Sequence, residues 1–437
     1  MVMKISVIGA GYVGLVTAIT LVEKGHDVIC VDIDKSRVNK IKHGSSPFFE
    51  PGLDDALKAC LETGKFKVSG EIRSCKNSQI VMFCINTPSN TNGNIDLKHL
   101  ENACHDLAGQ IQNIRKNDYF VIVVKSTVLP GTTLEIVRKI IEKYSGLKFQ
   151  HDFGLCMNPE FLQEGAALQN ARKPDKIVIG CENQKDFEII DELYSNFKTH
   201  IVHTDIKTAE MVKYANNAFL ATKISFANEM AKICDFAGVD VYNVMDIISL
   251  DTRIERKFLN AGPGFGGSCF PKDLRALSYY AKKNNIQTPL INDVLHVNDE
   301  QPIYVVEQLE SVLKSYKKKR IAILGLAFKG GTDDVRESRA IPIAIELKRR
   351  GAMVVGYDPM ASINFSKIVD IEIVDTVNAA LHDADACIIQ ADWMDFSKLQ
   401  ERDFECMKNK IIFDTRRILK ENFQEAIILR IGANNDH

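Results

Sequence analysis

The sequence predicts an α/β protein with two open, parallel-sheet domains joined by a central helical domain that contains one long connecting helix. Three observations lead there. Over about the first 200 residues, short β-rich runs alternate with helical patterns, the rhythm of a parallel sheet covered by helices. Between residues 207 and 237 that rhythm gives way to a single long helical pattern, and at Lys319 it returns. The returning block echoes the opening one: strand, glycine loop, helix, a basic turn closed by Gly351 and a strand ending in Asp358 answer the same series ending in Asp32.

Strands are expected at 4–8, 27–31, 80–85, 120–125, 153–157 and 176–179 in the first block, and at 320–324, 353–357, 371–374, 386–389 and 410–414 in the second. Between them, helices are expected at 207–237, 241–248, 274–283 and 294–314. On the long helix, Val212, Ala215, Phe219, Phe226, Met230 and Ile233 fall near one stripe. These patterns divide the chain into domains at 1–200, 201–315 and 316–437.

With 437 residues, 45% hydrophobic and 26% charged, the chain has the composition of an ordinary globular protein. A formal net charge of -2 provides no general pull toward nucleic acid or membrane, so any phosphate must be recognised locally. The 11 cysteines are scattered without Cys-x-x-Cys spacing, which argues against a disulfide framework or a metal site and suits a reducing cytoplasm. The apolar opening lacks a small-residue cleavage site and closes on Glu23-Lys24-Gly25 as a helix would, and no later run is long and apolar enough to span a bilayer.

The opening strand runs into Gly9, Gly11 and Gly14 and then a helix, the dinucleotide fingerprint of a Rossmann-like domain. Its first glycine permits the tight turn, the second lets a pyrophosphate approach the backbone, and the third lets the helix pack on the strand. Asp32 ends the next strand at the interval expected for an acid that binds a ribose diol. A carboxylate there repels a 2'-phosphate, so NAD is favoured over NADP; Arg37, a few residues on, reads first as part of a solvated helix start with Asp34 and Lys35.

Residues 262–273, Gly-Pro-Gly-Phe-Gly-Gly-Ser-Cys-Phe-Pro-Lys-Asp, set Cys269 among four glycines that let other groups approach the backbone. Pro271 suits a first helical turn, which places Cys269 beside a helix N-terminus, where thiolates are favoured. A helix end supplies only about 0.3–1 kcal/mol, less than one pKa unit at about 1.4 kcal/mol. An activated thiol therefore needs a second positive group.

These motifs together resemble the UDP-glucose/GDP-mannose dehydrogenase family over nearly the whole chain. The resemblance rests on residues 7–14, 125–133 (Lys-Ser-Thr-Val-Leu-Pro-Gly-Thr-Thr), 158–165 (Asn-Pro-Glu-Phe-Leu-Gln-Glu-Gly), 213–217 (Lys-Tyr-Ala-Asn-Asn), 253–273 and 325–338. It implies oxidation of a nucleotide sugar's C6 alcohol to a carboxylate with two NAD, through a thiohemiacetal and a thioester at Cys269. It further implies that Lys213 and Asn217, four residues apart on one helix face, hold the C6 oxygen, and Lys213 is then the required second cation. Asp273 and Thr127 resemble residues that position water, and Glu160 and Glu164 an acidic pair near the reaction, although both could equally be first-turn helix acids.

By the same resemblance, Tyr12, Val13, Arg37, Thr87, Thr127, Glu164, Lys272 and Arg336 contact the cofactor. Phe161, Leu162, Phe258, Leu259, Asn260, Gly264, Phe265, Gly266, Phe328 and Lys329 contact the substrate, with Lys329 and Arg336 in a C-terminal loop suited to a uridine diphosphate. Arg253 resembles an arginine that reaches the substrate from a second subunit, which implies a homodimer built on the central helices. Gly330-Gly331 and Asn86 depart from the family pattern. The stretch 258–271 looks more like members acting on UDP-glucose than on GDP-mannose or a UDP-N-acetylhexosamine. A cysteine hydrolase using His203 or His296 leaves Asp32 without a role, and a nucleotide sensor has no need of Cys269.

Overall fold

The computed structural model describes residues 1–90, 92–112, 119–420 and 423–433. They form two compact units, one of residues 1–216 with 275–280, the other of residues 217–274 with 281–437.

The first unit runs β1 (Lys4–Ile8), α1 (Tyr12–Glu23), β2 (Asp27–Val31), α2 (Lys35–Lys42), α3 (Leu53–Glu62), β3 (Phe66–Ser69), β4 (Ile80–Phe83), α4 (Lys98–Ile111), β5 (Phe120–Val124), α5 (Arg138–Ser145), β6 (Phe153–Met157), α6 (Ala167–Arg172), β7 (Lys176–Cys181), α7 (Gln184–Tyr194) and β8 (His200–Thr204). Its sheet order is β3-β2-β1-β4-β5-β6-β7-β8. Strands β4, β5 and β6 are buried along their whole length, as central strands covered on both faces must be. The order reverses between β2 and β4, on either side of β1, and ligands of such sheets bind at that switch.

One junction departs from the expected parallel sheet: β7 runs antiparallel to β6, with Cys156 opposite Cys181 and Met157 opposite Gly180. Between them the only helix is α6, six residues long. The connection of residues 158–175 begins and ends at the same side of the sheet. The chain therefore enters β7 from the carboxyl edge. Strands β3 and β8, which the sequence pattern did not reveal, close the two edges.

Helix α8 (Ile206–Ala237) continues from the first unit into the second. After α9 (Val241–Ile248), α10 (Phe270–Lys283), whose residues 275–280 belong to the first unit, and α11 (Pro289–Leu313), the second unit adds β9 (Arg320–Leu324), α12 (Ala340–Arg349), β10 (Met353–Tyr357), α13 (Ser362–Ser366), β11 (Glu372–Ile373), α14 (Val377–Leu381), β12 (Ala386–Ile389), β13 (Ile411–Asp414) and β14 (Ile427–Leu429). Its sheet, in the order β11-β10-β9-β12-β13-β14, is parallel throughout. Helices α10 and α11 begin earlier than their apolar periodicity suggested, because Pro271 and Pro289 sit in their first turns. On α8 the apolar stripe divides. Tyr214, Ala221, Ala227 and Ala231 are buried, whereas Phe219, Phe226, Ile233 and Phe236 face outward, with Phe236 95% exposed.

Candidate active site

In the first unit the three glycines of the β1–α1 turn meet different surroundings. A Cβ on Gly14 would lie 1.7 Å from the Gly9 carbonyl oxygen, and one on Gly9 would lie 2.5 Å from the Cys84 carbonyl oxygen, so both are fixed by packing. Gly11 faces open space at the start of α1, the cradle that a pyrophosphate needs. Asp32 is buried; its Oδ2 accepts from the Ala10 amide at 2.7 Å and from Arg37 at 2.9 Å, and its Oδ1 from the Asp34 amide. Arg37 is thus Asp32's counter-ion rather than a solvated side chain, and Asp34 caps α2.

Tyr12 donates to Glu50, whose carboxylate also accepts from the Gly165 amide at 2.7 Å. This joins the glycine turn to the loop that follows β6. In that loop Glu160 and Glu164 precede α6, so neither is a first-turn helix acid. Glu160 is buried and pairs at 2.9 Å with Lys213, itself only 3% exposed. Burial pushes the Glu160 carboxyl up, but the Lys213 charge, its hydrogen bond and the Leu162 amide outweigh that and hold it below the ordinary carboxylate range. Phe161 lies beneath the Lys213 ammonium, 5.5 Å from the ring centre. Leu162 packs on the main core.

Lys125 and Asn158 open two of the resembling stretches but take no site role from the sequence alone. Lys125 is buried at the end of β5 and donates at 2.8 Å to Asn158 Oδ1, which also takes the Tyr194 hydroxyl at 2.5 Å. Burial holds the Lys125 ammonium below its ordinary pKa. Its neighbour Thr127 accepts the Thr87 hydroxyl on its backbone oxygen at 2.8 Å. The same loop ends in a π-helical turn at Thr133–Val137, where buried Glu210 accepts the Gly131 and Thr133 amides at 2.5 and 2.8 Å. Glu210 lies one turn before Lys213 on α8, a link with no local motif to reveal it.

In the second unit Asn217 opens the continuation of α8, one turn beyond Lys213. Its amide donates at 2.7 Å to Asp273 Oδ2, while Lys272 pairs with Asp273 Oδ1 at 2.8 Å. Cys269 is the N-cap residue of α10, with Ser268 Oγ 3.6 Å from its sulfur and its carbonyl accepting the Asp273 amide. Placement at a helix N-terminus was expected. The use of the glycines is sharper than expected. A Cβ on Gly266 would lie 2.3 Å from the Glu337 carbonyl oxygen, and one on Gly267 would lie 2.8 Å from the Phe328 ring. The groups that approach this backbone are therefore the loop after β9.

Side chains from α8 and α11 support the same stretch: Asn228 accepts the Gly262 amide, and Asn298 bonds both the amide and the carbonyl of Phe265. Gly264 must be small because Asn298 Oδ1 would stand 2.7 Å from its Cβ. Phe258 adopts φ 67° and its ring meets Phe270, while Leu259 is buried and Asn260 accepts from Arg256. Arg416, a residue the sequence patterns did not mark, donates to the carbonyls of Gln390 and Phe328 and borders Gly262. Lys329 stacks over Phe328, and Arg336 bonds Asp334. Gly330 is explained by packing, since a Cβ there would strike the Asp392 carbonyl.

The acid ending β10 does not repeat the part of Asp32. Asp358 is consumed by four backbone amides, those of Leu326, Ala327, Met360 and Ala361, and by the Trp393 indole. It braces its own loop. Arg253 stands 87% exposed in the turn after α9, paired with Asp251. His203 and His296 pair with Asp191 and Glu300. Among the described residues no cluster of His, Cys, Asp and Glu could hold a metal, and no helix is long and apolar enough to cross a membrane.

A dinucleotide turn backed by an acid in one sheet, and a second nucleotide-type sheet whose own acid is occupied by its loop, define a dinucleotide-binding protein with two Rossmann-like folds. Comparison with known proteins gives the particular family. Models of the UDP-glucose/GDP-mannose dehydrogenase family match in succession: its NAD binding domain over residues 3–198, its central domain over 207–300 and its UDP binding domain over 322–421. The chain belongs to this family. It is 40% identical to a UDP-glucose 6-dehydrogenase of Haloferax volcanii, over 95% of this chain and 97% of that one. It is also 40% identical to one of Bacillus subtilis, over 97% and 91%. Among solved structures, a UDP-glucose dehydrogenase of Pyrobaculum islandicum superposes with TM-score 0.92 at 35% identity, covering 99% of this chain and 98% of that one. A UDP-D-ManNAc dehydrogenase of Pyrococcus horikoshii gives 0.87 at 30%, covering 99% and 100%.

Proposed function

We propose that the protein oxidises the C6 alcohol of UDP-glucose to a carboxylate, giving UDP-glucuronate, in two successive hydride removals. The observation that carries this reading is Cys269 at the N-cap of α10, with Asp273 one turn on and bound to Asn217. Bound NAD supplies the hydride acceptor, once for each oxidation. Gly11 and Asp32 hold it, and the Asp32 carboxylate excludes a 2'-phosphate.

Lys213 and Asn217 bind the C6 oxygen. The Glu160 carboxylate holds the Lys213 ammonium at 2.9 Å, and that ammonium stabilises oxygen as it becomes negative. Loss of the first hydride, with the hydroxyl proton passing to solvent, leaves an aldehyde, whose carbon has no second hydride to give in a useful form. Addition of the Cys269 sulfur, with the thiol proton passing to the aldehyde oxygen, makes that carbon tetrahedral. Loss of the second hydride, and of that proton to solvent, leaves a thioester. Water then cleaves the thioester, giving the carboxylate and restoring the thiol. Asp273, fixed between Asn217 and Lys272, orients that water. The uridine diphosphate lies in the domain of residues 316–437, against Phe328, Lys329, Arg336 and Arg416.

The outward stripe of Phe219, Phe226, Ile233 and Phe236 on α8 fits a second copy of the chain, as a homodimer in the cytoplasm, with Arg253 reaching the partner's substrate. The second reading, the same chemistry on a UDP-N-acetylhexosamine, is favoured by likeness to the Pyrococcus horikoshii enzyme. Incubation with NAD and each sugar nucleotide separates the two. Two NADH per UDP-glucose consumed, with the N-acetylated sugar left intact, supports the first; the reverse preference contradicts it. One NADH per sugar contradicts the two-step scheme.

A further inference from the structure

A second lysine in the first unit approaches the same aromatic ring as Lys213. Because β7 runs antiparallel to β6, its first residue, Lys176, emerges at the carboxyl edge of the sheet, beyond the end of β6. That is the edge at which open α/β sheets hold their ligands. The Lys176 ammonium lies 4.6 Å from the centre of the Phe161 ring, the same ring that carries Lys213 at 5.5 Å. It also donates at 3.3 Å to Asn216 Oδ1 on α8, the residue immediately before Asn217. Two cations thus share one aromatic ring, an arrangement that is stabilising for each alone and repulsive between them.

Their electrostatic situations differ. Lys213 is neutralised by Glu160 at 2.9 Å. Lys176 has a neutral amide and a ring, and no carboxylate pairs with it among the described residues. The Glu160–Lys213 pair has zero net charge, and Lys176 adds a positive charge at the same ring. The proposed reaction changes the charge of the sugar at one place only, from a neutral C6 alcohol to a C6 carboxylate.

We propose that Lys176 is a specificity residue that recognises the C6 carboxylate of the sugar nucleotide, the oxidised state as against the alcohol. The assignment rests on the reading that Lys213 holds the C6 oxygen. An unneutralised ammonium at the ring that Lys213 also approaches favours the charged form, because a charge-assisted hydrogen bond is about twice as strong as a neutral one. Lys176 then binds the product more firmly than the substrate, and product release answers to it.

The test uses the full-length protein without NAD, titrated by calorimetry with UDP-glucuronate and with UDP-glucose, two ligands that differ in charge only at C6. In Lys176→Met the Kd for UDP-glucuronate rises about tenfold, while that for UDP-glucose changes less than twofold; Lys176→Arg recovers most of the loss. Equal weakening of both ligands, or of neither, overturns the assignment. Should Lys176→Met fail to fold, Lys176→Gln carries the same comparison. Failure of the underlying reading shows separately, as NADH production from UDP-glucose by Lys213→Met at the wild-type rate.

Discussion

Glu160 and Lys213 form the most consequential pair of residues in the first unit, since each is a buried charge that the other makes tolerable. Replacing Glu160 by Gln leaves the ammonium in the interior without its counter-charge. The expected loss is about 3–5 kcal/mol at pH 7 by urea denaturation. The pH dependence follows from the lowered carboxyl. A folded-state pKa below the unfolded value of about 4.3 contributes stability that is fully present above that value and is lost as pH falls through the folded one. The stability gap between wild type and Glu160→Gln should therefore narrow as the pH is taken from about 6 toward 3; a gap that stays constant contradicts the pairing. Lys213 was legible as a site residue through the family resemblance of residues 213–217, with which its place between Val212 and Tyr214 on an apolar helix agrees. Lys125 was not, since a lysine closing the apolar run Phe120–Val124 reads as a strand reaching solvent, and only the fold shows Asn158 waiting for it.

The two glycine-rich segments make opposite demands that their spacing alone does not disclose. Gly14 and Gly266 are fixed by protein contacts, Gly11 by the space left for a ligand. Gly11→Ala is expected to keep the wild-type melting temperature while weakening NAD binding at least tenfold, because its Cβ enters the cradle and nothing else. Gly14→Ala, with its Cβ 1.7 Å from a carbonyl oxygen, should lower the melting temperature by several degrees instead. Calorimetric scans with NAD titrations check both, and loss of stability in Gly11→Ala would show the second glycine to be structural. Sequence patterns recovered most strands of both sheets, whose central members are continuous apolar runs. They missed the direction of β7, which no local pattern encodes, the edge strands β3 and β8, whose polar faces weaken the apolar signal, and the three-residue edge strand β14. They also gave Asp358 the position of Asp32 without its availability, because hydrogen-bond occupancy is set by the folded loop.

At the scale of the whole molecule, the repeat of strand, glycine loop, helix and acid in both blocks made the architecture readable, and the switch to long-period helix marked the middle. What that middle covers was less readable: Phe219, Phe226 and Ile233 look like core residues in sequence, yet they face outward on α8. If a second copy covers them, Phe226→Asp should convert the homodimer to monomer in sedimentation velocity, with turnover falling as Arg253 loses its place; an unchanged dimer would move the interface elsewhere. The central claim is chemical, however, and rests on one sulfur atom. In Cys269→Ser supplied with NAD and UDP-glucose, steady NADH production should fall at least a hundredfold, while calorimetry shows both ligands still bound within about threefold of wild type. Steady turnover at the wild-type rate in that variant would contradict the covalent two-step mechanism.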